Sequence, residues 1–139
     1  MGLDAVVFRQ LASLRAEYHA DLVLADEETG EADLASLRLR DPWAAAVAFH
    51  YRFGNIATIG HLREIVADIL TDPDSVLQTR VLYSSSHSGD VIEASAFGQI
   101  REELDTLRSV DIPEIVKFVA GLDALIMCAE REGNPIVFV

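Results

Sequence analysis

Two short apolar runs rich in β-branched residues, LDAVVF at 3–8 and NPIVFV at 134–139, lie at opposite ends of the chain. Each has the length and composition of a buried strand. We expect the two strands to pair in a parallel or mixed sheet, because helices covering that sheet would bury both runs. The 139 residues suffice for one domain. The predicted fold class is α+β or α/β, with a small mixed sheet of N-terminal, central and C-terminal strands covered by about five helices.

Apolar residues recur at helical spacing in five segments, and each segment has its own boundary signals. Asp41-Pro42 is typical of a helix start and Gly54 of a helix stop. Asn55 then predicts the N-cap of a further helix, so that two helices meet at a tight Gly-Asn corner. Asp111 and Glu114 match a capping box. The predicted helices span residues 9–19, 41–54, 55–72, 93–109 and 111–133.

The remaining segments have weaker patterns. A short strand is predicted at 21–26, followed by an exposed acidic turn, and 31–40 is either a second strand or an irregular return. Alternation in VLQTRVLY at 76–83 favours a strand, although the same residues also suit a helical turn. The aromatic residues of the second predicted helix are interpreted as core: Trp43, Phe49, Tyr51 and Phe53.

The charge of the chain is strongly acidic, with 23 aspartates and glutamates against 11 lysines and arginines and a net charge of −12. Direct binding of nucleic acid is disfavoured, because phosphate neutralisation needs clustered basic residues. An acidic protein instead attracts cationic proteins and can be steered toward them. The acidic residues selected as candidate contacts are Asp26, Glu27, Glu28, Glu31, Glu102 and Glu103.

A single cysteine, Cys128, excludes an internal disulfide and favours a reducing compartment. No apolar stretch is long enough for a membrane helix, and the N-terminus has no secretion-signal pattern. We therefore expect a cytoplasmic protein. The histidines show no helical metal-binding spacing, and the acidic turn lacks the calcium-loop pattern, so no metal or cofactor is expected. A weak alternative is a metal site in which His50 and His61 approach across the Gly54 corner.

The stretch YSSSHSGD at 83–90 is the most unusual polar segment. Ser86, His87 and Asp90 supply the residue types of a catalytic triad, but they lie too close in sequence to converge easily. Ser88-Gly89-Asp90 could instead cradle an anion before a helix, although no basic residue adjoins it. The remaining interpretations are a hydroxyl-rich loop that satisfies its own backbone and a protein-contact loop.

Four segments together resemble a group of small bacterial proteins: MGLDAVVF, FGNIATIGHLREIV, VLYSSSHSGD and GNPIVFV. That group consists of predicted immunity proteins from polymorphic toxin and contact-dependent inhibition systems. The resemblance implies a single-domain cytoplasmic protein that binds and blocks a cognate toxin. It implies no catalytic residue.

These observations lead to one main hypothesis, a non-catalytic immunity protein that neutralises a basic toxin domain, such as a nuclease, through an acidic surface. The proposed contacts are the acidic residues named above together with His87. The alternative is a small-molecule-binding protein or enzyme that uses loop 84–90, with Ser86, His87, Ser88 and Asp90 as its ligand residues. A regulatory or oligomeric module is a third possibility, and both a monomer and a dimer remain open.

Overall fold

The computed structural model describes residues 2–9, 24–26, 31–32, 47–83 and 90–138. Within these ranges there are six strands: β1 (Gly2–Phe8), β2 (Leu24–Asp26), β3 (Glu31–Ala32), β4 (Val47–Asn55), β5 (Val91–Ile92) and β6 (Ile136–Phe138). The same ranges contain three α-helices: α1 (Ile56–Ile69), α2 (Phe97–Leu107) and α3 (Pro113–Glu132). A π-helical turn covers Leu77–Val81, and a 3₁₀ turn at Ala94–Ala96 leads into α2.

The main sheet has four strands in the order β4-β1-β6-β5, and every pair is antiparallel. The predicted pairing of the first and last strands is confirmed, because Ala5 and Val6 pair with Phe138 and Val137. Their direction corrects the parallel or mixed arrangement that the sequence suggested. The fold is α+β, with fewer helices than the five predicted, counted over the part of the chain that the structure describes. The helix predicted at 9–19 lies outside the described residues.

Strand β4 replaces the second half of the helix predicted at 41–54, and that prediction is wrong over 47–54. Phe49, Tyr51 and Phe53 alternate with His50 and Arg52, so one face of the strand packs on the core and the other carries polar groups. Period-two alternation favours a strand over a helix. Residues 41–46, including Trp43, lie outside the described ranges.

The corner after β4 therefore joins a strand to a helix, and the predicted helix–helix pair does not exist. Gly54 has φ 142°, and a β-carbon there would collide with Thr58. A glycine is required because this φ is unfavourable for residues with a β-carbon. The predicted N-cap is confirmed, since Asn55 Oδ1 accepts a hydrogen bond from Thr58 N at 2.9 Å.

The core lies between the helices and one face of the sheet. The apolar stripe predicted on the last helix is fully buried: Ile115, Val119, Leu122, Ile126 and Ala129. Phe53 joins the layers, because its ring centroid lies 4.9 Å from that of Tyr51 and 5.7 Å from that of Phe118 on α3. Burial of such aromatic rings contributes strongly to stability.

Two further predictions concern helix ends. Helix α3 begins after Ile112, with Pro113 in its first turn and no side-chain hydrogen bond at the cap, so the Asp111–Glu114 capping box is not formed. Its predicted end is confirmed, because Gly133 takes the left-handed conformation with φ 68°. The strand favoured for 76–83 is wrong, and the alternative helical turn is observed instead, with Leu77 and Val81 buried.

A second, two-stranded antiparallel sheet is formed by β2 and β3, in which Asp26 pairs with Glu31. This confirms the end of the strand predicted at 21–26 and shows a short return strand at the start of 31–40. None of the helices in the described part of the chain combines the length and apolar character needed to cross a lipid bilayer.

Candidate functional site

The acidic residues selected from the sequence fall into three situations. Asp26 and Glu31 occupy paired positions of the β2–β3 hairpin, whereas Glu27 and Glu28 lie outside the described residues. Glu102 is exposed on α2. Glu103, the next residue, is half-buried and bound to other parts of the chain, so adjacent carboxylates have different roles.

Glu103 holds the segment between α1 and the π-helical turn. Its carboxylate accepts a hydrogen bond from the hydroxyl of Ser75, which is 1% exposed, and a second from Val76 N at 3.0 Å. Ser75 Oγ in turn accepts from Gln78 N at 3.3 Å. The carboxylate therefore satisfies donors that burial would otherwise leave unpaired. This is a structural role within the chain.

Further exposed carboxylates lie on α1, in the turn after it and on α2, where the sequence gave no obvious signal. Glu64 and Asp68 are exposed one turn apart on α1, and Asp72 and Asp74 are exposed in the turn that follows. Gln99 on α2 holds this turn by donating to the Asp74 carbonyl at 3.3 Å. We call the following five residues the acidic surface: Glu64, Asp68, Asp72, Asp74 and Glu102.

Local interactions on α1 slightly disfavour two of the five carboxylates of the acidic surface, Glu64 and Asp68. Among the described residues, none of the five forms an ion pair. Glu64 and Asp68 are like charges at i and i+4, which destabilises a helix slightly. Asp68 also lies in the last turn of α1, where the helix dipole disfavours negative charge and no basic residue compensates. Asp72 Oδ1 accepts a hydrogen bond from Asp74 N at 2.9 Å, whereas the other four carboxylates accept no hydrogen bond in the described part of the chain.

The seam between α2 and α3 shows the opposite arrangement, in which carboxylates are neutralised. Arg101 binds Glu130, and Arg108 binds Asp123 at 2.6 Å and Asp105 at 2.9 Å. The hydrogen bond from Arg101 lowers the pKa of Glu130. The hydrogen bonds that Arg108 donates to Asp123 and Asp105 raise the pKa of Arg108. Along this seam the carboxylates therefore have ion-pair partners within the chain, unlike those of the acidic surface.

The serine-rich loop is described only at its two ends. Ser86, His87 and Ser88 lie outside the described residues, so triad and anion-cradle geometry stay predictions. Asp90 is exposed beside β5. A pocket of about 250 Å³ adjoins it, lined by Thr79, Arg80, Tyr83, Asp90, Val91 and Ile92. Arg80, on the π-helical turn, lines the same pocket as Asp90, so a basic residue lies near the end of the serine-rich stretch.

A third polar group lies on the face of the sheet opposite the one that packs against the described helices. Asp4 on β1 stands opposite Arg52 on β4. Its carboxylate accepts a hydrogen bond from Arg52 Nη1 at 2.9 Å and lies 2.8 Å from His50 Nε2. His50 is thus held by a carboxylate on the sheet, and His61 is exposed on α1. Within the described ranges, no three potential metal ligands group together.

Comparisons with known proteins give no further constraint on the site. No protein-family model, no curated protein and no solved structure matches this chain. The functional argument therefore depends on the residues and geometry given above.

Proposed function

We propose that the protein is a non-catalytic immunity protein that binds and neutralises a basic toxin domain, such as a nuclease. The observation that carries the proposal is the acidic surface, whose five carboxylates have no ion-pair partner among the described residues. Carboxylates that are unfavourable in the free protein become favourable when a cationic partner neutralises them. The net charge of −12 acts in the same direction over longer distances.

The proposed mechanism is steric occlusion combined with charge mimicry. A nuclease binds phosphates through arginines and lysines, and carboxylates on a rigid turn can occupy the same positions. Gln99 and Glu103 fix the Asp72–Asp74 turn against α2, so the charges are presented without a large ordering cost. The toxin contacts predicted from the sequence remain part of this proposal: Asp26, Glu27, Glu28, Glu31 and His87. The protein would act in the cytoplasm, where it meets an incoming toxin.

The test uses the product of the gene adjacent to this one in the native host, purified as its toxic domain. Co-expression with the present protein should restore growth of cells that make the toxin. The neutralised variant Asp68→Asn/Asp72→Asn/Glu102→Gln should associate on the order of tenfold more slowly, with a weaker salt dependence. Surface plasmon resonance at several ionic strengths measures both quantities.

A matched control removes the same charge elsewhere. Glu93→Gln/Asp111→Asn/Glu114→Gln changes three exposed carboxylates outside the acidic surface. It should lower the association rate much less than the first variant, because short-range contacts are unchanged. Equal effects of the two variants would show that only net charge matters. Absence of growth protection by the wild-type protein would refute the immunity function.

A further inference from the structure

The pocket beside the π-helical turn contains two opposite charges that do not meet. Arg80 and Asp90 both line it. In the described part of the chain neither side chain has an ion-pair partner, and they do not form an ion pair with each other. Oppositely charged side chains in one small pocket normally attract each other. Their separation therefore needs a structural cause.

The cause is that both residues are fixed by bonds to other groups. Arg80 Nη2 donates to the Val91 carbonyl at 2.7 Å, which directs the guanidinium toward β5. The Asp90 carbonyl accepts from Phe138 N at 2.9 Å, which ties its backbone to β6. Arg80 uses only one of the five donors of its guanidinium in this bond. The remaining donors and the Asp90 carboxylate are available to a ligand.

The π-helical turn is a second indication that this pocket has a function. Thr79 Oγ1 donates to the Ser75 carbonyl at 2.7 Å, so the turn is held firmly beside the pocket. Turns of this type are rare and occur often at functional sites. Here the turn places Thr79 and Arg80 side by side on the pocket wall. Val91 and Ile92 on β5 supply the apolar part of the pocket wall.

We propose that this pocket binds a small zwitterion of the size and charge of an α-amino acid. The ligand carboxylate would bind the free donors of Arg80, and its ammonium group would bind Asp90. A short apolar side chain would contact Val91 and Ile92. The pocket volume of about 250 Å³ fits a ligand of this size and is below that of typical drug-sized sites.

Other small ligands fit the charges less well. A simple anion such as phosphate would gain the Arg80 contact but would be repelled by Asp90. A simple amine would gain the Asp90 contact but would be repelled by Arg80. A zwitterion satisfies both side chains, whereas a ligand with a single charge leaves either Arg80 or Asp90 without a partner in the pocket.

The experiment titrates the full chain with each of the twenty amino acids to about 10 mM, which detects millimolar dissociation constants, and follows amide chemical shifts by NMR. At least one small apolar amino acid should shift the resonances of Arg80, Asp90 and Val91. Its deaminated and decarboxylated analogues should bind at least about tenfold more weakly, because each lacks one charge-assisted contact. Inorganic phosphate serves as the probe for a simple anion site.

Two single variants locate the binding site. Arg80→Gln and Asp90→Asn should each weaken binding at least about tenfold, whereas Arg63→Gln and Glu93→Gln, which lie outside the pocket, should not. Thermal melts of all four variants exclude unfolding as the cause. The proposal is overturned if no amino acid binds, if phosphate or the deaminated analogue binds as tightly as the amino acid, or if the pocket variants leave binding unchanged. None of these outcomes bears on the immunity function, which depends on other residues.

Discussion

The ring of Tyr51 on β4 lies directly over Gly121 on α3, where a β-carbon would overlap the ring atoms. The phenol oxygen of Tyr51 donates to the Lys117 carbonyl at 3.0 Å, one helical turn earlier. Burial raises the pKa of Tyr51 above its usual value. The sheet and the longest helix therefore approach closely at a point that only glycine allows.

Gly121→Ala should destabilise the protein by about 1 to 3 kcal/mol, because the added methyl group overpacks the contact with Tyr51. The better helix propensity of alanine offsets at most about 1 kcal/mol of this. Urea unfolding followed by circular dichroism measures the change in the free energy of unfolding. Gly60→Ala on α1 is the matched control, because a β-carbon there meets no atom within 4 Å.

The control should be stabilising by up to about 1 kcal/mol, since it gains helix propensity without a collision. In a Tyr51→Ala background, Gly121→Ala should lose its destabilising effect. If it stays equally destabilising there, the ring contact is not the reason for the glycine.

Residues 47–55 show which part of the fold can be predicted from the sequence. The sequence predicts a helix there, because Asp41-Pro42 and Gly54 are typical helix boundaries and alanines lie between them. The alternation of Phe49, Tyr51 and Phe53 with polar residues was the stronger signal, since β1 needs a neighbour and β4 provides it. Helices α2 and α3 were predicted well because their apolar stripes are long and pack on one core.

The candidate site was less predictable, because it depends on contacts between distant segments. Glu102 and Glu103 are equivalent in the sequence, yet only Glu103 reaches Ser75 and Val76. Arg80 reaches the Val91 carbonyl because the π-helical turn and β5 meet in space. The acidic surface likewise combines α1, a turn and α2, and no local pattern indicates that combination.

Glu103→Ala should destabilise the protein by about 1 to 3 kcal/mol, because the Ser75 hydroxyl and the Val76 amide lose their acceptor in a buried position. Glu102→Ala is the control, and it should change the free energy of unfolding by less than about 0.5 kcal/mol because Glu102 is exposed. Urea unfolding of both variants gives the comparison. Equal losses would contradict the role of Glu103 as the buried acceptor for Ser75 and Val76.

Cys128 should react slowly with a thiol reagent such as Ellman's reagent while the protein is folded. Its side chain is 4% exposed, and burial raises the pKa of the thiol above its usual value, although the nearby Arg131 opposes this. Both factors reduce the accessible thiolate, which is the reactive form. The rate should rise to that of an unhindered thiol in denaturing urea. Rapid stoichiometric labelling of the native protein would contradict the buried placement.

The Arg101–Glu130 ion pair should make a small contribution to stability that disappears in acid. The pKa of Glu130 is lowered from 4.5 in the folded protein, mainly by the hydrogen bond from Arg101. A lowered folded-state pKa means that the contribution is present above the unfolded-state value and is lost as pH falls through the folded-state value. The effect is small because both side chains are more than 40% exposed and are screened by salt.

Glu130→Gln should therefore be less stable than the wild type above about pH 5, and the difference should shrink toward zero as the pH falls below the folded-state pKa. Urea unfolding at a series of pH values measures it. In an Arg101→Gln background the same substitution should have no pH-dependent effect, because the hydrogen bond that lowers the pKa is gone. A difference that grows in acid would mean that protonated Glu130 is the form that the fold stabilises, the opposite of what the ion pair with Arg101 requires.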